Sequence, residues 1–221
     1  MPIGKAAFSG SPYLGVYLKV AEDRAIAPPS LPASLERVME RVLGVRVLKT
    51  TVGDSEIVGA LLTMNSRGIV ISSQVDEKEI SALKSIGPVH VLDSHLNALG
   101  NTILANDNGA VVHPDFSRSE MDQISRVLGV RVVPSTVAGE GTVSKTAVAT
   151  NKGAVVHPGT TEKEIRILED ALKVKVHKTT ANFGVPIVGA CVVANSRGML
   201  VGAPTTPVEL VHLEEGLAIY D

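Results

Sequence analysis

The chain has 221 residues, 44% of them hydrophobic and 20% charged, with 21 Lys and Arg against 23 Asp and Glu for a formal net charge of -2. That is ample apolar content for a core. It lacks the basic excess from which a free-standing nucleic-acid binder draws its affinity, and with no Trp and 3% aromatics it is poor in stacking platforms for single strands. The single Cys excludes an internal disulfide framework and a multi-cysteine metal site. No run reaches the roughly 18 apolar residues of a membrane span. "MPIGKAAFSG" has no apolar signal-peptide core, so a reducing, cytoplasmic setting is expected.

In chain order, the segment "KAAFSGSPYLG" comes first and has no helical pattern. Five copies of one phrase follow. The first, "VYLKVAEDRAIAPP", is divergent and carries Arg24 where the others carry Gly. "LLTMNSRGIVISS", "TILANDNGAVVHP", "AVATNKGAVVHP" and "CVVANSRGMLVGAP" place that glycine at Gly68, Gly109, Gly153 and Gly198, at intervals of 41 to 45 residues. A fixed period of this size marks a repeat architecture. Within each copy, two apolar runs flank a short polar turn, the pattern of a hairpin. The turn glycine is expected to supply a backbone with φ > 0.

A helix is expected after each hairpin. Asp76 with Glu79, Ser117 with Glu120, Thr161 with Glu164 and Thr206 with Glu209 have capping-box spacing, the last with Pro207 at the first helical position. Apolar residues then recur at helical spacing: Leu35, Val38, Met39, Val42 and Leu43; Met121, Ile124, Val127 and Leu128; Ile165, Leu168 and Leu172. Short strands close four units, in "VRVLKT", "VHVLD", "VRVVP" and "VKVHKT". The fifth unit has only "LAIYD", and the N-terminal segment is expected to complete it, with Ile219 and Tyr220 pairing near Ala7. The reading is α/β: a five-bladed β/α propeller with fivefold pseudosymmetry, closed by the two chain termini. It makes one domain, residues 1–221, of five repeats of about 44 residues.

"LNALGNTILANDNGAVVHPDFSRSE", with "MNSRG" and "VVHPGTTEKE" in adjacent repeats, resembles the archaeal and eukaryotic translation initiation factor 6 family, from about Phe8 onward. Ending at Asp221, the chain is similar to the shorter archaeal form. The resemblance implies the pentein fold and a non-enzymatic protein without cofactor or metal. It implies a monomer that binds the large ribosomal subunit at its intersubunit face. The implied partner there is mainly a ribosomal protein beside the sarcin–ricin loop, with limited rRNA contact. It also implies that association with the small subunit is blocked, and a role in late large-subunit maturation. The charge balance agrees with docking on protein rather than bare RNA.

Asn65, Asn106 and Asn195 share one turn slot, with Thr150 in the fourth unit. Asn suits turns because it bonds its own backbone, so repetition points to structure. By the resemblance, the ribosome-binding residues are Asn106, Asp107 and Asn108, then Asn65, Ser66 and Arg67. Arg67, Lys152 and Arg197 precede their glycines as solvated turn charges or face contacts, Arg67 first because Arg is enriched in interfaces. His113 and His157, each before Pro, suggest a shared structural task; no His spacing suits a metal. The pentein fold also hosts guanidino-modifying hydrolases and transferases with a Cys nucleophile, the alternative reading. Cys191, in the apolar "IVGACVVAN", reads as a buried strand thiol with no adjacent charge to activate it.

Overall fold

A computed structural model describes residues 2–220. Strand β1 (Ile3–Ala6) comes first. Unit I runs α1 (Leu14–Tyr17), β2 (Lys19–Val20), β3 (Arg24–Ala27), α2 (Ala33–Leu43), β4 (Arg46–Lys49). Unit II runs α3 (Val58–Leu61), β5 (Leu62–Met64), β6 (Ile69–Ser72), α4 (Glu77–Lys84), β7 (Val89–Leu92). Unit III runs α5 (Leu99–Thr102), β8 (Ile103–Ala105), β9 (Gly109–Val112), α6 (Arg118–Leu128), β10 (Arg131–Pro134). Unit IV runs β11 (Ala147–Ala149), β12 (Gly153–Val156), α7 (Glu162–Leu172), β13 (Lys175–Lys178). Unit V runs α8 (Val188–Cys191), β14 (Val192–Asn195), β15 (Gly198–Gly202), α9 (Pro207–Leu217).

The result is an α/β fold of five small sheets, each of three strands. In units I to IV the second strand is central, antiparallel to the first and parallel to the third. In unit V the third place is filled by β1, parallel to β15 with Ile3 opposite Met199 and Ala6 opposite Gly202. The N-terminal segment therefore completes the last sheet, but not as the sequence suggests. Ile219 and Tyr220 pair with nothing near Ala7. With β1 on the β15 edge, residues 217–220 have no strand to join. Ala218 instead takes a left-handed conformation (φ 52°) that ends α9, and Ile219 turns into the core.

The hairpin runs are shorter strands than the sequence suggests. In four units a single helical turn, α1, α3, α5 or α8, precedes the first strand. Cys191 ends α8 rather than lying in a strand. These turns approach one another closely. A Cβ on Gly15 would lie 2.0 Å from the Gly189 carbonyl oxygen, on Gly59 2.2 Å from that of Gly15, on Gly100 2.1 Å from that of Gly59, and on Gly189 1.9 Å from that of Ser144. Each of these residues, Ser144 included, stands six before its unit's Asn slot. Backbone thus meets backbone from unit to unit. The first strands do likewise: β2 meets β5, β5 meets β8, β8 meets β11, β11 meets β14, and β14 meets β2.

Each long helix wedges between its own sheet and the preceding one. Thus α6 packs on β6, β7 and β10, and α2 on β15, β1 and β4. Each apolar cluster accordingly spans a seam. Leu35, Met39 and Leu43 of α2 share one with Val193 and Leu200 of unit V. Ile124 and Leu128 of α6 share another with Val70 of unit II. A helix wedged in this way brings its C-terminal turn onto the neighbour's hairpin glycine, which explains the repeat differently from the expected φ > 0. None of Gly68, Gly109, Gly153 and Gly198 has positive φ. A Cβ would instead strike a carbonyl oxygen of the neighbouring helix: Val127 at 2.5 Å, Ala171 at 1.8 Å, Gly216 at 2.2 Å and Val42 at 2.4 Å. Unit I tolerates Arg24 in that slot because α4 has 8 residues where the other long helices have 11.

All four predicted capping boxes form. Three of their glutamates do more. Glu164 also accepts from Thr136 Oγ1 at 2.6 Å and Gly139 N at 2.9 Å, and Glu209 from Thr180 Oγ1 at 2.7 Å and Gly184 N at 2.7 Å. Glu79 repeats the pattern with Thr51 and Gly53. Each ties its helix to the loop before the hairpin. Burial alone would raise these carboxyl pKa values. The donors outweigh it and hold Glu164 and Glu209 down at about 2.

Gly109→Ala is expected to destabilise the chain by about 3 kcal/mol or more, because backbone must move to admit the methyl; urea titration of both proteins checks this. Glu164 and Glu209 have folded pKa values below the ordinary 4.5. Their stabilisation is therefore full above about pH 4.5 and fades as pH falls toward about 2, on the order of 2–3 kcal/mol each. Glu164→Gln and Glu209→Gln should each be less stable at pH 7 and lose less between pH 4.5 and 2, as denaturant midpoints across that range would show.

Candidate docking face

The five polar turns lie together beside the helix C-termini, where four or so unpaired carbonyls per helix need partners. The Asn slot supplies them. Asn106 Nδ2 donates to Leu172 O at the end of α7 (2.9 Å) and to Thr150 O in the next turn (2.8 Å). Its Oδ1 accepts from Asn108 N and Gly109 N, both at 2.9 Å. Asn65 repeats this with Leu128 O, Asn106 O, Arg67 N and Gly68 N. Asn195 does so with Leu43 O, Arg197 N and Gly198 N. One residue thus builds its turn, caps the neighbour's helix and joins two units.

Two seams lack this Asn. The Thr150 hydroxyl bonds only within its own turn, with Lys152 N, Gly153 N and Gly153 O. Unit I has Ala21 in the slot, and there Arg24 takes over. Its guanidinium donates to Ile86 O beyond α4 and to Ser66 O in the next turn (2.9 Å). The Arg in the glycine slot therefore serves the seam as the missing Asn would.

The position after the slot, Glu22, Ser66, Asp107, Asn151 and Ser196, links the turns laterally. Ser66 donates to Asp107 through N (2.9 Å) and Oγ (2.8 Å). Asn151 Nδ2 donates to Asp107 Oδ2 (2.8 Å), and Asp107 N to Asn151 Oδ1 (2.9 Å). Ser196 Oγ (2.8 Å) and Asn151 N (3.4 Å) donate to Glu22. Burial would raise the Asp107 pKa. The Asn151 amide, the two Ser66 donors and the Arg67 charge lower it overall, so Asp107 is a firm anion.

The six residues singled out in the sequence are brought together at the turns of units II and III, but they are not equally available. Asn65 and Asn106 are buried, with both ends of each amide engaged inside the protein. Ser66 and Asp107 are half-buried and bonded to each other. Arg67 is exposed, yet Nη1 donates to Asp107 O (2.8 Å) and lies over the end of α6. Asn108 alone points an exposed side chain outward with no partner among the described residues. Sequence reasoning gave no site role to Glu22, Asn151 and Ser196, and saw in Arg24 only a departure from the glycine slot. A polar residue after the slot in every unit was the available signal.

The paired histidines share one structural task, and Cys191 is buried as the sequence suggests, though in a helical turn and not a strand. His113 Nδ1 accepts from Asp115 N and His157 Nδ1 from Gly159 N, the same turn in two units. Cys191 is fully buried, and burial pushes its thiol up to about 12, so it carries negligible thiolate at neutral pH. No group of three His, Cys, Asp or Glu among the described residues could hold a metal ion.

Asn106→Ser should cost about 2 kcal/mol, since it leaves two carbonyls without donors. That corresponds to a fall in Tm of roughly 4–8 °C for a chain of this size. Asn108→Ala should leave Tm within about 1 °C. Calorimetry on the pair distinguishes the buried from the exposed asparagine.

The eIF-6 family model matches residues 3–216. "Translation initiation factor 6" of Methanosphaerula palustris is 39% identical over 209 residues, 95% of each chain. That of Halorubrum lacusprofundi is 43% identical over 219 residues, 98% of this chain and 99% of the other. That of Pyrococcus abyssi is 39% identical over 227 residues, 99% and 100%. A solved dimethylarginine dimethylaminohydrolase structure aligns at a TM-score of 0.47 and 11% identity, over 75% of this chain and 68% of the other. Matched along its whole repeated length, the chain belongs to the eIF-6 family.

Proposed function

We propose that this protein binds the large ribosomal subunit at the face that meets the small subunit and keeps the two apart, and that it acts in late large-subunit maturation. Near-full-length similarity to proteins named translation initiation factor 6 carries this reading. The mechanism needs no chemistry. A rigid body seated on one partner excludes the other, and occupancy follows affinity and concentration. We further infer that the five sheets close into a pentein ring, a reading supported by β1 on β15 and by the chain of first-strand contacts that returns from β14 to β2. Such a ring offers a broad flat face, and a specific interface needs roughly 800 Å² on each side.

The partner proposed is mainly a ribosomal protein beside the sarcin–ricin loop, with limited rRNA contact, met by a monomer in the cytoplasm. Contact at the turns of units II and III would come from Asn108 and the Arg67 guanidinium, which are exposed, with Asn65 and Asn106 holding the backbone that presents them. The guanidino-modifying alternative is not favoured, because the only thiol is buried and protonated.

Co-sedimentation of the chain with purified large subunits across a salt series tests the proposal. Stoichiometric binding at physiological salt, with loss of small-subunit joining, is expected. No co-sedimentation would overturn it. Asn108→Glu should weaken binding at least tenfold with unchanged Tm; unchanged binding would move the contact away from the turns of units II and III.

A further inference from the structure

A cavity of about 60 Å³ lies among the first strands and the single-turn helices, lined by residues of all five units. One water needs roughly 10–15 Å³ of such volume, so several water-sized groups fit. Most of the lining is Gly, Ala, Val and Leu, but Lys19, Asn101 and Ser144 also belong to it. Lys19 is half-buried and lines this cavity. Its Nζ donates to Gly100 O at 3.3 Å, which leaves two N–H groups. Asn101 follows in the same helical turn, and its carbonyl accepts from Ser144 N at 2.8 Å. Lys19 and Ser144 therefore meet the same Gly100–Asn101 stretch. Neither the Asn101 amide nor the Ser144 hydroxyl bonds to another described side chain or backbone group.

Among the described residues no carboxylate lines this cavity. Glu22 and Asp107 line a smaller one beside it, nearer the turns, and both are committed to Ser and Asn donors there. Lys19 is in no ion pair with the described residues. Burial lowers its pKa to about 8, so at neutral pH most molecules still carry the ammonium charge. A partly buried cation without a counter-ion beside it favours an anion that can supply one. Water would satisfy its N–H groups but not its charge.

We propose that the cavity binds one small monoanion, an inorganic ion or a one-carbon carboxylate, held by Lys19 with donors from Asn101 and Ser144. The site selects by size, since only an ion of a few heavy atoms fits, and by charge, since its polar side chains offer donors and no anionic group. The three ligands come from units I, III and IV, so the bound anion ties unit I to two units with which it shares no long helix.

The full chain is tested by replacing a bulky sulfonate with nitrate, chloride or formate at constant ionic strength. Wild-type Tm should rise by several degrees and saturate, as ligand linkage requires. Lys19→Gln should lose that rise. Equal rises in both proteins, or none with any small anion, would overturn the proposal. Should Lys19→Gln fail to fold, chlorine NMR of the wild type decides. Chloride line broadening that formate displaces at one site per chain, and bulky sulfonate does not, supports it; broadening that neither displaces overturns it.

Discussion

Everything in this fold depends on the approach of one unit's helix end to the next unit's hairpin. The apolar clusters lie at seams, so a unit taken alone would leave half a core exposed. The helix that fills the seam ends against a neighbour's backbone, and two requirements follow. The hairpin must have no side chain where the helix ends, hence Gly68, Gly109, Gly153 and Gly198. The helix's last carbonyls must find donors from the same hairpin, hence Asn65, Asn106 and Asn195. Gly and Asn recur three residues apart because they answer one contact, sterically and electrostatically.

Unit I shows the rule by its exception. A shorter α4 relaxes the steric demand, so the glycine slot can carry Arg24. The same retreat moves the carbonyls beyond the reach of a short amide, and the slot holds Ala21. The longer guanidinium spans the gap to Ile86 and to Ser66. Two changed residues and one shortened helix form a single consistent set, as expected of a sequence whose local choices agree with its global packing.

Much of this was legible from residues alone. Capping boxes are local, so Ser117 with Glu120 or Thr161 with Glu164 announces its helix whatever surrounds it. The hairpins and closing strands were legible for the same reason. What escaped was set between units. A single turn such as Val188–Cys191 is too short to show a period, so it reads as strand. Gly15, Gly59, Gly100 and Gly189 recur six places before the Asn slot, but a glycine in an apolar run signals a close approach only once its neighbour is known. The ordinary turn rule explains a hairpin glycine by its own conformation, whereas here contact with the next unit is the cause. At the candidate face, the turns that carry the site were visible, while burial of Asn106 beside exposed Asn108 was not, because the residue that covers Asn106 belongs to another repeat.

The parallel pairing of Ile3 with Met199 sets a timetable for the molecule. Strand β1 leaves the ribosome early and must wait, unpaired, until nearly all the rest of the chain has been made. Its partner edge on β15 is equally unprotected until β1 arrives. The loop between them is almost the whole polypeptide, but closure entropy grows only logarithmically with length, so the delay is one of synthesis more than of search. Unit V, and the seam it shares with unit I, is thus the last part of the molecule to gain its final form. Strand β1, made before every other element described, is the clasp that finishes it.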